Sequence, residues 1–312
     1  MRGVKRETRH IPVMLDAVLD VINPQPGQRI VDCTVGLGGH ATELLRRIQP
    51  GGKLIGLDFD PANLELARAK LEQATGGSGG SSGNLSLHHS NFAGVDKILA
   101  AENVDHVDAI LADVGVASPQ IDDPARGFSY RRPGPLDMRM DPTRGQPASA
   151  LVNRMSETEL AAALLELGDE TDAPQIARLI VQRRKESPIT TTEQLTRIVC
   201  DARDFTLQRA AGAKLHPAAR TFQALRMLVN RELANLQRLL DIAPSLLKPG
   251  GVIAIISFHS GEDRLTKKSF RDARRAGLYR DVADDPIMAT PEEATKNPRS
   301  RSAKLRWARR AQ

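Results

Sequence analysis

Cysteine is nearly absent from this 312-residue chain: only Cys33 and Cys200 occur, outside any Cys-x-x-Cys or mixed His/Cys ligand spacing. That supports neither a disulfide framework nor a zinc site, fits a reducing cytoplasm, and leads us to expect no metal. Long apolar runs are missing too. No stretch approaches the roughly 18 apolar residues of a membrane span, and MRGVKRETRH leads directly into HIPVMLDAVLD without the apolar core of a signal peptide. The expectation is a soluble, unexported, cytoplasmic protein with no membrane partner. Aromatics number only ten, so each one beside a candidate site raises the question of its use.

Charge is present but unevenly placed. The net charge is +6, yet the segment from Arg264 onward holds 14 Lys/Arg against 6 Asp/Glu, a surplus of 8, which leaves the preceding 263 residues at −2. A basic C-terminal region on a nearly neutral body suits a polyanionic partner, most simply nucleic acid; a solubilising surface is the plainer alternative.

The first hundred residues alternate strand and helix signals. QRIVDCTVG (28–36) is an apolar strand running into glycines, GGHATELLRRI (38–48) a short amphipathic helix, KLIGLDFD (53–60) a strand ending in acids, and PANLELARAKLEQ a helix with proline at its start. A third strand around LSLHH, a helix around FAGVDKILAAEN and the strand DAILADVGV (108–116) continue the pattern, which implies βαβ units and a mostly parallel sheet. The Gly/Ser tract 75–83 reads as a surface insertion or linker. Residues from about 148 to 211 are helical throughout, and GGVIAIISFHS (250–260) returns to strand, with KLRWAR (304–309) as a last strand at the sheet edge. The expected organisation is an α/β domain from residues 1–120, a loop with an all-helical inserted module over 121–212, and the rest of the α/β domain over 213–312.

Three segments carry candidate chemistry. VDCTVGLGGH sets glycines 36, 38 and 39 between a strand and a helix, where backbone must approach a ligand closely; nicotinamide, flavin and S-adenosylmethionine sites all use such turns. Asp58 closes the next strand 22 residues after Gly36, where a carboxylate accepts from ribose hydroxyls. GLGGH departs from G-x-G-x-x-G, which lowers the dinucleotide reading. ADVGVASPQ puts Asp113 at a strand end, with Asp113 or carbonyls near Ser118 and Pro119 as acceptors for an exocyclic amine; a turn-forming aspartate and a surface Gln120 are the bland alternatives. ISFHSGEDR offers Phe258 as a stacking face, His259 as a base or phosphate contact or else a satisfied strand-end histidine, and Arg264, Lys267 and Lys268 as backbone contacts. The loop RGFSYRRPGPLDMRMD (126–141) has neither helical nor strand period. It is a solvated connection or a binding loop in which Phe128 and Tyr130 stack while arginines contact phosphate or pair with Asp137 and Asp141.

These blocks, together with GLDFDPANLELA, HPAARTFQALRMLVNREL, LLKPGGVIAIISFHSGEDR and NPRSRSAKLR, resemble in order and over nearly the whole chain the bacterial small-subunit (16S) ribosomal RNA cytosine-N4 methyltransferase family, MraW or RsmH. The resemblance implies a class I, Rossmann-like α/β enzyme that uses S-adenosylmethionine to methylate the exocyclic N4 of one cytidine in the decoding region. It implies cofactor contacts at Gly38, Gly39, His40, Asp58, Phe92, Asp113 and Gln120; catalysis around Asp113, Ser118, Pro119 and His259; and substrate contacts at Phe128, Tyr130, Asp137, Arg139, Phe258 and Arg264. Partners would be small-subunit ribosomal RNA or the assembled subunit, with a homodimer left open. Four positions depart from the family pattern: Ala117 for serine, Gly261 for leucine, Ala219 for threonine, and GDET (168–171) for GEER. The first and third-strand-end departures keep alternatives in play: a noncatalytic ribosome-assembly factor of the same fold, a DNA amino-methyltransferase and, least, a nicotinamide dehydrogenase.

Overall fold

The computed structural model describes residues 11–74, 83–213 and 215–312. The N-terminal residues through His10 and nearly all of the Gly/Ser tract lie outside them. The chain forms two compact units, one made of the residues up to Gly115 together with Leu233–Gln312, the other of Val116–Glu232. Among the described residues no helix is long and apolar enough to cross a membrane.

In the first unit the chain runs α1 (Leu15–Ile22), β1 (Arg29–Asp32), α2 (Gly39–Arg47), β2 (Lys53–Asp58), α3 (Pro61–Ala74), β3 (Leu85–His89), α4 (Val95–Ala101) and β4 (Val107–Asp113). The inner strands read as continuous apolar runs because helices cover both faces of a parallel sheet. Adjacent residues accordingly enter opposite cores: Val31, Ile55, Ile110 and Ile253 pack on one face, Ile30, Leu54, Leu111 and Ile256 on the other. The second unit contributes α5 (Ser118–Asp122), α6 (Ala148–Arg154), α7 (Glu157–Gly168), α8 (Ala173–Glu186), α9 (Thr192–Ala202), α10 (Leu207–Ala211) and α11 (Ala219–Asn230). After it come α12 (Glu232–Leu246), β5 (Leu247–Ser257), α13 (Ser260–Arg275), β6 (Tyr279–Val282), β7 (Ile287–Met288), α14 (Pro291–Lys296) and β8 (Lys304–Arg310).

The sheet order is β3-β2-β1-β4-β5-β8-β6, with β7 also on β8. β1 to β5 are parallel and the last three strands antiparallel. Chain direction across the sheet reverses between β1 and β4, the switch point at which open α/β sheets bind ligands beyond the strand carboxyl ends. β8 does not lie at the sheet edge as the sequence suggested. It sits between β5 and β6, because Tyr279 and Val282 bury a short further strand whose two-residue exposed middle carries little period-two signal; Tyr279 meets Phe270 of α13 edge to face.

The helical unit begins after Gly115 and extends to Glu232, not over 121–212. α11 belongs to it because α7 and α11 approach closely at Gly168, where a Cβ would lie 2.6 Å from the Arg220 carbonyl oxygen. The GDET departure lies at this junction as a structural node. Glu170 is fully buried and accepts from Arg203 Nη2 at 3.0 Å and Thr221 Oγ1 at 3.2 Å.

Candidate active site

Three acids end three adjacent central strands: Asp32 on β1, Asp58 on β2 and Asp113 on β4. Between β1 and α2 the chain turns through Gly36 and Gly38, both at positive φ. Gly38 is the left-handed N-cap of α2, and a Cβ on Gly39 would come within 2.9 Å of Pro12, so side chains at the turn are excluded for conformational reasons at one position and steric reasons at the next. The helix thus opens a run of backbone amides toward the strand ends.

Asp58 ties this turn down. Its Oδ2 accepts the Gly36 amide at 2.7 Å, and its Oδ1 accepts the Asp60 amide at 2.8 Å and Asn63 Nδ2 at 3.4 Å. Thr34 makes the second tie: its hydroxyl accepts the Asp113 amide at 2.7 Å while its own amide donates to Asp32 Oδ1 at 3.1 Å. Burial raises all three acids. Asp32 is pushed up to about 7 by desolvation, helped by the charge of Asp58. Desolvation pushes Asp58 up to about 6 against its backbone hydrogen bonds. Asp113 goes up to about 8, through desolvation and then the charges of Asp32 and Glu262, although 24% of its side-chain surface still faces solvent. Asp32 Oδ2 and Asp113 Oδ1 are buried with no hydrogen-bond partner among the described residues. Desolvated, mutually repelling carboxylates with unused acceptor atoms suit a ligand that brings positive charge, as a sulfonium does.

His40 is not the helix cap. It is the second residue of α2, buried, with Nε2 2.8 Å from the Val13 carbonyl; since a carbonyl only accepts, the proton sits on Nε2, and Nδ1 faces Asp113 Oδ2 at 4.0 Å. Phe92 opens a 3₁₀ turn capped by Asn91 and packs half-buried against the larger core.

At the end of β5, His259 turns out to be the N-cap of α13. Its Nδ1 accepts the Glu262 amide at 3.5 Å, while the buried Glu262 carboxylate accepts the Phe258 amide at 3.1 Å, a reciprocal cap that accounts for the histidine without substrate. His259 Nε2 lies 2.9 Å from Glu262 Oε1, off the line of a hydrogen bond. Gly261 lets the ring fold back, since a Cβ there would stand 3.3 Å from Nδ1. Phe258 packs half-buried on the apolar core, with the Gly115 backbone against its ring. Arg264 is exposed on α13.

In the helical unit Gln120 is buried, not a surface group. Its Oε1 accepts the Ala117 amide at 2.8 Å at the start of α5, where Ser118 and Pro119 form the first turn and the Pro119 carbonyl accepts the Asp123 amide at 3.0 Å. Phe128 and Tyr130 correct the stacking expectation. Phe128 is only 8% exposed, and Tyr130 stacks on His216 at 4.5 Å, meets Phe222 edge-on and has the Arg131 guanidinium 5.8 Å from its ring centre. The rings fasten the loop to the helical core. Its arginines do likewise: Arg126 donates to the Arg139 and Met140 carbonyls, Arg132 to Asp122, and Arg139 to both oxygens of Asp137 at 2.8 and 2.7 Å. Burial alone would raise Asp137, but the Arg139 guanidinium and amide outweigh it and hold the carboxyl below its ordinary range.

The first unit therefore gathers Gly38, Gly39, His40, Asp58 and Asp113 around one strand-end turn, whereas Gln120, Phe128, Tyr130, Asp137 and Arg139 belong to the helical unit. Asp32, Thr34, Asn63 and Glu262 escaped the sequence reading. Asp32 was signalled by its place at a strand end directly before the glycine turn, and Glu262 by the His-x-x-Glu spacing of a cap.

A model of the MraW methylase family matches residues 7–311. The ribosomal RNA small subunit methyltransferase H of Acidobacterium capsulatum is 41% identical over 300 residues, covering 96% of this chain and 98% of that protein. The enzymes of the same name from Koribacter versatilis and Symbiobacterium thermophilum are 42% and 43% identical, covering 99% and 95% of this chain and 96% and 95% of their own lengths. With its switch-point turn, its buried strand-end acids and its full-length likeness to these proteins, the chain belongs to the MraW methylase family.

Proposed function

We propose that this chain methylates small-subunit ribosomal RNA at the exocyclic N4 of a cytidine, with S-adenosylmethionine as methyl donor. One observation carries the reading: three buried carboxylates, all raised and two with unused oxygens, converge at the switch point of a chain whose relatives are named ribosomal RNA small subunit methyltransferase H. When bound, the cofactor supplies an electrophilic methyl group on a positively charged sulfur. Around it the chain's own groups divide the work. The amides at the start of α2 receive the methionine carboxylate, Asp58 the ribose hydroxyls and Phe92 an adenine face.

Asp113 has a double part. Alone, its carboxyl is largely protonated near neutral pH, since it is pushed up to about 8. A cation at the site draws it to the carboxylate, which offsets the sulfonium charge and provides an acceptor for an amine N–H. Localising the amine lone pair and aligning it with the methyl is the main catalytic task, and the Ser118–Gln120 turn closes the site from the other unit. His259 acts as a positioning residue through the α13 cap.

Radiolabelled S-adenosylmethionine offered with small subunits, naked small-subunit RNA and duplex DNA tests the proposal. Label in RNA that digests to N4-methylcytidine is the expected result. Label in DNA, or on another RNA position, would overturn it.

A further inference from the structure

We propose that the outward face of α13 is a docking surface for the phosphate backbone of an RNA strand flanking the target nucleotide, an inference that rests on the RNA-methylating function above. The helix carries Arg264, Lys267, Lys268, Arg271 and Arg275, spaced three or four residues apart, and with Asp272 these line one shallow depression. At about 1.5 Å per residue the stripe runs roughly 16 Å, starting beside the Phe258–His259 corner at the carboxyl end of β5.

The sorting of charge on α13 argues for a ligand. Its acids turn toward the body: Glu262 is buried in the cap, and Asp263 pairs with Arg306 at 2.6 Å and Lys304 at 3.2 Å. Asp272 is the one acid on the basic face, within 3.9 Å of Lys268 and 3.6 Å of Arg275. Lys267 and Arg271, at the centre of the stripe, have no ion partner among the described residues, and Arg271 is exposed.

A favourable helix dipole explains cations only in the last turn, at Arg274 and Arg275. It does not explain the four that precede them. Five pairs of these cations stand at i,i+3 or i,i+4, each of which destabilises a helix by like-charge repulsion. A row of self-repelling cations without acids among them fits a polyanion, and a helix face without aromatics or amide side chains reads backbone, not sequence.

The test uses the full-length protein and small-subunit RNA, with binding measured from 50 to 300 mM salt in the presence of S-adenosylhomocysteine, so that no turnover is required. The Lys267→Gln/Arg271→Gln double variant should lower the slope of log affinity against log salt by about 1.5, at about 0.7 to 0.9 per phosphate contact. It should weaken RNA binding roughly tenfold near physiological salt, again through the two lost contacts, with cofactor affinity unchanged. Lys296→Gln, which removes a cation already paired with Glu292, should leave the slope alone, and Lys267→Arg/Arg271→Lys should retain wild-type behaviour. A double variant with the wild-type slope, or an equal loss in the Lys296 variant, would overturn the surface. Failure of the wild type to methylate RNA would instead strike the parent function, because the binding slope is read without catalysis.

Discussion

The carboxylate of Asp58 accepts the backbone amide of Gly36 at 2.7 Å, so the acid that ends β2 also holds the turn that opens α2. Asp58→Ala removes the acceptor for the Gly36 and Asp60 amides together, and each buried amide left without a partner costs about 1–3 kcal/mol. Part of that loss is offset because a desolvated acid, held at about 6, disappears as well. The variant should fold with a lower melting temperature, at roughly 2–4 °C per kcal/mol for a chain of this size. Its affinity for S-adenosylmethionine in calorimetry should fall by more than about a hundredfold, as expected for losing a charge-assisted contact and a preorganised turn together. Affinity within threefold of wild type would show that the turn holds its shape without Asp58.

The three strand-end acids also fix the sign of a pH dependence. Asp58, Asp32 and Asp113 stand at about 6, 7 and 8 in the folded chain, against an ordinary value of 3.8. Between those limits the folded chain binds more protons than the unfolded one, so stability is full below about pH 4 for these groups and is lost as pH rises through their folded values. The ligand-free protein should melt at falling temperature from pH 6 to pH 8.5, and Asp113→Asn should flatten the upper part of that slope. A sulfonium ligand counters the same repulsion, so the stabilisation given by S-adenosylmethionine over its neutral thioether product should grow across this window. Melting curves that run parallel for the two ligands at every pH would sink the electrostatic account.

How much of this was legible in the sequence depended on whether a residue's role is local. Asp58, Asp113 and the glycine turn were readable, because strand ends and strand-to-helix turns leave their mark in a few consecutive residues. Asp32 was hidden by the same rule, since its importance comes from two neighbouring strands that bring Asp58 and Asp113 beside it. Phe128 and Tyr130 show the opposite failure. Aromatics and arginines in a loop without period look available for a ligand, yet the partners that cover Tyr130, His216 and Phe222, lie in segments far along the chain. β8 was recognised as a strand but placed at the edge, because pairing order is not a local property.

The same loop gives a steric prediction. A Cβ at Gly134 would run into the Pro124 carbonyl, and the neighbouring residues bridge to α9 through Pro135 and Thr191 and through the Leu136 amide on the Thr190 carbonyl at 2.8 Å. Gly134→Ala therefore pushes backbone against backbone, which no side-chain rotation relieves. The cost should be about 1–3 kcal/mol, in the range for overpacking. Hydrogen exchange should show faster opening confined to residues 124–147 and α9, and exchange unchanged in that loop would count against the close approach.

Asp137 and Arg139 test whether the loop's cations are there for RNA or for the loop. Both oxygens of Asp137 are taken by Arg139, and each side chain keeps only about a fifth of its surface in solvent, 23% and 21%. If the pair is a fastening, Asp137→Asn and Arg139→Gln should each lower stability, and the double variant should lose little more than either alone. The coupling energy in that cycle should be about 1–2 kcal/mol, since a bidentate, part-buried pair exceeds the exposed-pair range. An RNA contact predicts a different pattern: Arg139→Gln would weaken RNA binding and flatten its salt dependence, while Asp137→Asn, by releasing the arginine, would strengthen both. The geometry favours the first outcome, with both variants weakening RNA binding only as far as they loosen the loop.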